Sequence, residues 1–293
     1  MNVHNFIDLH VHIGPEVLPR KYTVGRIIKE QRRKIAGIAL KSHFYPTTPL
    51  IKSEEDSDLI LVGSVTLNNY LGGLNPDLIY ASATLASTPI IVWFPTINAE
   101  NFLKRSKYEI PPEWVGKGFE SRLSKEVRGI RILKDNGKLT TETVRVLKAI
   151  KENNCILATG HLSWEESKVL TETAVKMGIK KIIITHPIYQ RIAMPLEIQK
   201  ELASFEGVFV EQSYSMYFID GISIKEIAAQ IKAINPAKCI LVSDLGQINN
   251  PSPSEGLQDF TTLLIKEGIT EEELRVMGEF NPRKLLGLPQ KNI

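Results

Sequence analysis

Phe6-Ile7-Asp8-Leu9-His10-Val11-His12 is a short apolar run that ends in two histidines, and its reading decides the fold. Four later runs repeat the design: Ile38-Ala39-Leu40-Lys41-Ser42-His43, Ile156-Leu157-Ala158-Thr159-Gly160-His161, Ile182-Ile183-Ile184-Thr185-His186 and Ile240-Leu241-Val242-Ser243-Asp244. Five of the six histidines thus close an apolar run, and an aspartate closes the last. Short runs of this composition read as buried strands. Histidines used as core filler would not keep that phase, so the pattern places ligand-type side chains at one end of a sheet.

Working outward, strand patterns alternate with helical ones almost from end to end. Strands are expected near 5–12, 36–43, 59–66, 89–95, 127–133, 155–160, 181–186, 207–212 and 239–244. Helices are expected near 23–34, 75–87, 140–153, 165–177, 193–205, 223–234, 254–267 and 271–277. Ser163 and Thr270 precede glutamates as helix caps do. Strict alternation argues for a parallel sheet, and about eight units argue for closure into a barrel. The fold class is therefore α/β, a distorted TIM-like (β/α)8 barrel. Nine strand candidates are one too many. The run 127–133 leads into the turn signal Asp135-Asn136-Gly137 and reads as an excursion, with 59–66 as the alternative extra strand. The segment 98–125, with Pro111-Pro112 and Trp114, reads as an insertion over the mouth. We expect one domain over 1–293, with 98–138 as insertion and excursion.

Bulk composition bounds the function. A chain of 293 residues, 43% hydrophobic, can bury one large core. The formal charge of +3 is close to balance, which gives no case for nucleic acid or an anionic membrane as partner. No apolar run approaches the ~20 residues of a membrane span, and the first residues lack the regions of a signal peptide. A cytoplasmic protein acting on a small molecule is expected, with homo-oligomer formation left open. Cys155 and Cys239 open strand-like runs, at the end away from the histidines, and read as buried reduced thiols.

In a strand, residues two apart share a face. His10 and His12 therefore project together, and Asp8 is expected on their side. His161 and His186 end consecutive strands and are neighbours in a barrel. Asp244 ends the last strand, which closes against the first. Two imidazoles from one strand can hold a divalent ion with little ordering entropy lost.

Asp8-Leu9-His10-Val11-His12, Gly160-His161, Thr185-His186-Pro187 and Ser243-Asp244 resemble the amidohydrolase superfamily, in the right order over nearly the whole chain. Asn281-Pro282 resembles the start of that group's terminal helix, with Asn281 as N-cap. The resemblance implies that His10, His12 and Asp244 bind the more buried of one or two metal ions, and His161 and His186 the more exposed one. Zinc fits the ligands first; manganese, iron, cobalt and nickel are alternatives. It also implies a bridging anion, often a carboxylated lysine, and Asp244 as general base. The usual fourth-strand position for that bridge has no counterpart at the end of Ile90–Pro95. Lys41, in phase with His43, and Lys134 are the candidates, with Glu211 a weaker carboxylate. A lysine beside two dications must be neutral, turned away or converted by CO₂ to a carbamate. His43 is read as a ligand, a substrate contact or a support of the ligands, and Asp8 as a support of the ligands or a structural residue. Asn68, in Asn68-Asn69-Tyr70-Leu71-Gly72-Gly73, is read as part of a substrate loop or a support behind the site, an ordinary turn being the alternative, and Tyr214, with Met216 and Tyr217, as lining the mouth.

The implied activity is a metal-dependent hydrolase that uses a metal-bound hydroxide on an ester, amide, lactone or related bond. A phosphoesterase on the same centre would need basic residues at the mouth, for which Lys41, Arg131 and Arg191 are the suggestions. A decarboxylase or hydratase is the non-hydrolytic version, and a catalytically dead scaffold the non-enzymatic one. A deaminase is disfavoured, because Pro187-Ile188-Tyr189 follows His186 where such enzymes carry an acid.

Overall fold

The computed structural model describes residues 1–54, 57–111, 114 and 127–290. Among them run the strands β1 (Ile7–His12), β2 (Gly37–Lys41), β3 (Ile60–Val62), β4 (Ser64–Thr66), β5 (Ile91–Trp93), β6 (Ile156–Ala158), β7 (Ile182–Ile184), β8 (Val208–Ser213) and β9 (Cys239–Val242). All pairings are parallel, in the orders β1-β2-β3 and β4 through β9.

The expected helices form at Val24–Gln31, Pro76–Thr84, Thr141–Glu152, Trp164–Lys176, Leu196–Ala203, Ile224–Ile234, Pro253–Lys266 and Glu271–Arg275. Ser163 with Glu166, and Thr270 with Glu273, form reciprocal capping boxes. Each satisfies two otherwise orphaned N–H groups, and a good N-cap stabilises by about 1 kcal/mol. Asn281 is a correction: it already has helical dihedrals, and Phe280 holds the cap position. The Asn281 side chain instead donates to Cys239 O at 2.7 Å, tying the terminal helix to the start of β9.

The expected strand 59–66 is one strand in two halves. β3 pairs with β2 and β4 pairs with β5, and the break falls at Gly63. Thr47 is wedged in at that point. Its N–H donates to Ser64 O (2.9 Å), its hydroxyl donates to Leu40 O (2.7 Å), and the same oxygen accepts from Ser64 N (2.8 Å). Thr47 thus takes over bonds that β2 would have made to β4. A Cβ at Gly63 would sit 2.6 Å from Thr48 Oγ1, so the wedge requires glycine there. Counting the halves as one, eight strand positions remain. The opposite seam is closed by Asp244 N to His10 O (2.9 Å) and His12 N to Leu245 O (2.7 Å). The segment 127–133 lies outside this set and makes only the isolated bridges Ala99–Ile130 and Leu133–Leu139.

The strands bury both faces, as a parallel sheet covered by helices must. An inner cluster draws Ile7 and Leu9 from β1, Ala39 from β2, Val62 from β3, Trp93 from β5, Ile183 from β7, Phe209 from β8 and Val242 from β9. The alternate residues, such as Ile38, Leu40, Val92, Leu157 and Val210, pack outward against Ile27, Val146, Leu170, Leu202 and Phe260 of the helices.

Candidate metal centre

β1 does not keep a simple two-residue period. Asp8 pairs with Ile38 but Val11 pairs with Leu40, so β1 carries one extra residue at a bulge. Ile7 and Leu9 face inward before it, and His10 and His12 face inward after it. Asp8 is therefore out of phase with the histidines, contrary to the expectation from alternation. Its Oδ1 accepts from His10 N (3.2 Å) and Ser243 N (3.1 Å), satisfying amides at the bulge and the barrel seam.

Two threonines set the next pair of histidines. Thr185 N donates to Thr159 Oγ1 (2.9 Å), and Gly160 N donates to Thr185 Oγ1 (3.0 Å). This reciprocal clamp holds the ends of β6 and β7 together. Gly160 has φ +64°, and a Cβ there would lie 2.3 Å from Phe94 O. The turn that presents His161 therefore needs glycine. Asp244 itself has φ +54°, a left-handed conformation that aspartate tolerates better than most residues.

The five strand-end histidines close into a ring of neighbours. Centroid separations are 5.2 Å for His161–His186, 5.8 Å for His186–His10 and 5.3 Å for His10–His12. His12–His43 at 4.9 Å and His43–His161 at 6.4 Å complete the circuit. Asp244 Oδ1 lies 3.1 Å from His10 Nε2 and 3.0 Å from His12 Nε2. Lys41 Nζ lies 2.9 Å from the same His10 Nε2 and 4.0 Å from the centroid of Trp93. Glu211 Oε1 faces His10 Nδ1 at 3.0 Å. Asp244 Oδ2 accepts from Ser215 Oγ at 2.6 Å.

The donor set fits a transition-metal ion. A four-coordinate ion with bonds of about 2.0–2.1 Å separates its donors by roughly 3.3 Å, close to the spacing of Asp244 Oδ1 from the two Nε2 atoms. His10, His186 and Asp244 each offer a ligand atom within 4.8 Å of one another. In the tautomer that donates Nδ1–H to an ionised Glu211, His10 Nε2 presents a lone pair towards Asp244. Two acceptors then face each other, which a cation between them relieves. Nδ1 of His12, His161 and His186 is buried without a hydrogen-bond partner.

Electrostatics keeps the imidazoles neutral, as ligands must be. Burial, helped by nearby Lys41, holds His10, His12, His43 and His161 well below the usual histidine range, and burial takes His186 down to about 4. Burial brings the Lys41 ammonium down to about 8 although Asp244 and Glu211 pull it up. Burial also raises the Glu211 carboxyl, with Asp244 adding to it, and raises Asp8 to about 7. For Asp244, burial is outweighed by His10, His186 and Lys41, so its carboxyl stays below the ordinary value.

Several expectations need correction. Lys134 is exposed on a turn closed by Gly137 N to its own carbonyl, so it is not a bridge candidate. Asn68 is fully buried, with its amide donating to His43 O and Thr96 Oγ1 and its carbonyl accepting from Thr96 N. Thr96 Oγ1 in turn meets His43 Nδ1 at 2.8 Å, so Asn68 supports the His43 loop and does not line the mouth. Tyr214 packs on Phe260 and Phe218 with its hydroxyl 3.4 Å from Asp259, outside the cavity that Met216 lines. Arg131 is half exposed and paired with Glu100 and Asp135.

The cavity over the cluster holds about 350 Å³ of space, part of it open to solvent. Besides His12, Lys41, His43, His161, His186 and Asp244 it is lined by Arg20, Trp114, Tyr189, Ile219 and Gln247, none of which was singled out as a site residue. Of the expected insertion, 112–113 and 115–126 lie outside the described residues; Trp114 stacks on His43 with planes 3° apart. The charged loop Glu16–Arg20 directly after a histidine-ended strand was the one available sequence signal for Arg20.

This architecture is that of solved amidohydrolase-superfamily barrels. A dihydroorotase from Campylobacter jejuni superposes with TM-score 0.56 at 14% identity, covering 100% of this chain and 86% of that one. A putative 2-pyrone-4,6-dicarboxylic acid hydrolase from Pseudomonas putida gives 0.60 at 14% identity over 99% and 100%. An N-acetyl-D-glucosamine-6-phosphate deacetylase from Mycobacterium smegmatis gives 0.57 at 12% identity over 98% and 79%. The chain is thus an α/β barrel with the amidohydrolase fold and a histidine-rich candidate metal centre at its mouth. More narrowly, it belongs to the family of unknown function DUF6282, whose model matches residues 5–211. No curated protein matches it by sequence. Among the described residues no helix is long and apolar enough to cross a membrane.

Proposed function

We propose that this protein is a metal-dependent hydrolase of the amidohydrolase type, acting on an ester, amide, lactone or related bond of a small molecule. The observation that carries the reading is that Asp244 Oδ1 meets both His10 Nε2 and His12 Nε2, with Lys41 Nζ on the same His10 Nε2, inside the ring of five histidines. Structural relatives named as a hydrolase and a deacetylase support hydrolysis as the reaction class. His10, His12 and Asp244 would hold the more buried ion, zinc first, and His161 and His186 a second. Divalent ions there supply Lewis-acid polarisation of the scissile carbonyl and acidify water.

The chain's own side chains do the rest. Glu211 fixes the ring orientation of His10. Ser215 holds Asp244 Oδ2 and so fixes the carboxylate that would act as general base. Lys41, with its amine near 8, is substantially neutral at mildly alkaline pH and so able to take CO₂; its carbamate would add an anionic group able to hold the ions. Of the basic residues named above for a phosphoesterase, Lys41 lines the cavity whereas Arg131 and Arg191 do not.

Elemental analysis of purified protein should find one or two transition-metal ions per chain, and Asp244→Asn should lose metal and activity on a panel of lactones and esters. Chelation should lower the melting temperature, because an ion that binds only the folded chain stabilises it. A metal-free protein on which added zinc, manganese or cobalt restores no hydrolysis would end the proposal.

A further inference from the structure

Arg20 sits on the loop that follows β1, and its backbone is pinned across the barrel seam. It makes an antiparallel bridge to Gln247, and Lys21 N donates to Gly246 O at 2.8 Å. Its side chain is only 2% exposed, yet it lines the cavity that holds His12, Lys41 and Asp244. One edge of the guanidinium is committed: Nε donates to Glu16 Oε1 at 2.5 Å. Glu16 is itself held, because its Oε2 accepts from Ser42 Oγ (2.5 Å) and His43 N (3.1 Å). The remaining fork is not committed. Nη2 is buried and has no hydrogen-bond partner among the described residues.

A buried guanidinium N–H without an acceptor is destabilising, so its retention beside a reaction centre calls for an acceptor that arrives with a ligand. The planar fork matches a carboxylate or a phosphoryl group, which can take two parallel N–H bonds. Glu16 offsets the charge of Arg20 without occupying that end.

We propose that Arg20 recognises an oxyanion on the substrate, a carboxylate or phosphoryl group, with Glu16 as the positioning residue that aims the guanidinium into the cavity. The inference rests on the hydrolase reading in placing a substrate there, and deepens it by making that substrate an anion. Glu16 and Arg20 come four residues apart on one loop, so recognition and its support travel together. The oxyanion would sit on the His12 side of the cluster, away from His161.

Calorimetric titration of the full chain, as purified, with malonate and with inorganic phosphate tests this. Arg20→Met should weaken binding of the preferred anion at least tenfold, and Arg20→Lys should fall between it and the unsubstituted protein. Glu16→Gln should weaken binding several-fold, while metal content stays the same in all three variants. Arg20→Lys keeps the charge and much of the stem, and an unchanged melting temperature in it separates lost recognition from lost folding. A preference for malonate assigns a carboxylate and one for phosphate a phosphoryl group, and both support the oxyanion site. Affinity that survives Arg20→Met unchanged, or no uptake of either anion by the unsubstituted protein, overturns it. Arg20-dependent anion binding in a protein that takes up no metal would sink the hydrolase reading and leave the oxyanion site standing.

Discussion

Glu211 shows how much of the centre depends on groups that need not touch a ligand ion. It is fully buried, and its Oε1 faces His10 Nδ1. Burial raises this carboxyl, and a cation in the cluster would favour its ionised form; as a carboxylate it would select the tautomer that leaves Nε2 free to coordinate and strengthen it as a donor. Glu211→Gln should therefore lower metal affinity roughly 10–100-fold, measured by competition with a chromophoric chelator, with folding retained. An affinity equal to the unsubstituted protein would show that Glu211 does not orient His10. The cysteines test burial away from the site. Burial pushes both thiols from 9.0 up to about 12. The unfolded chain loses those protons from about pH 9, whereas the folded chain keeps them to about 12. Their contribution is thus complete below pH 9 and is lost as pH rises towards 12, by about 1.4 kcal/mol per pH unit per thiol at most. Urea titrations at pH 8 and 10 on the protein and its Cys155→Ala, Cys239→Ala variant should show a smaller alkaline loss in the variant.

At the scale of elements, the ends of strands matter more than their middles. Thr47 replaces missing strand–strand bonds between β2 and β4, so Thr47→Val should leave Ser64 N without its acceptor, while Leu40 O keeps the Ser64 hydroxyl as donor. The expected destabilisation is about 1–3 kcal/mol per orphaned group, read as a lower denaturation midpoint with unchanged slope. A midpoint within error of the unsubstituted protein would mean that water or a shifted backbone replaces the wedge. Gly160→Ala combines an unfavourable positive φ with a clash against Phe94 O. It should cost at least about 1–3 kcal/mol and should displace His161, so bound metal should fall even at temperatures where the variant is folded. Full metal content in a folded Gly160→Ala protein would show that His161 is not a ligand.

For the whole molecule, two seams decide whether the barrel gathers its ligands. Between β1 and β9, backbone bonds run directly from the proposed ligand residues: Asp244 N to His10 O and His12 N to Leu245 O. In the proposed centre, coordination and closure would share the same residues, which would couple metal binding to the stability of the seam. Arg20 and Gln247 extend the same seam above the strands, so the proposed oxyanion site is built on the closure as well. Between β2 and β4 the seam is made with a threonine hydroxyl, away from the ligand cluster. Loss of metal should therefore loosen the first seam more than the second, and amide exchange at His12 and Asp244 should rise on chelation while Ser64 stays protected.

How much of this was legible in the chain follows from the range of each interaction. Periodicity and caps are local, so the alternation of strands and helices, the capping boxes at Ser163 and Thr270, and histidines at strand ends were readable from neighbouring residues. Strand order then implied that His10, His12, His161, His186 and Asp244 would meet. The bulge in β1 was not readable, because an extra residue shows only against the partner strand, and it took Asp8 out of phase. Lys41 and Lys134 each end an apolar run; only the position of 127–133 outside the sheet separates the buried amine from the exposed one. The pairing of Glu211 with His10 spans 201 positions, and no local pattern encodes it. The sequence by itself determined which residues could bind a metal, since that is side-chain chemistry at strand ends. The tertiary structure alone decided which of them converge and which end of the Arg20 guanidinium was left without an acceptor, since desolvation and pairing exist only once distant segments pack together.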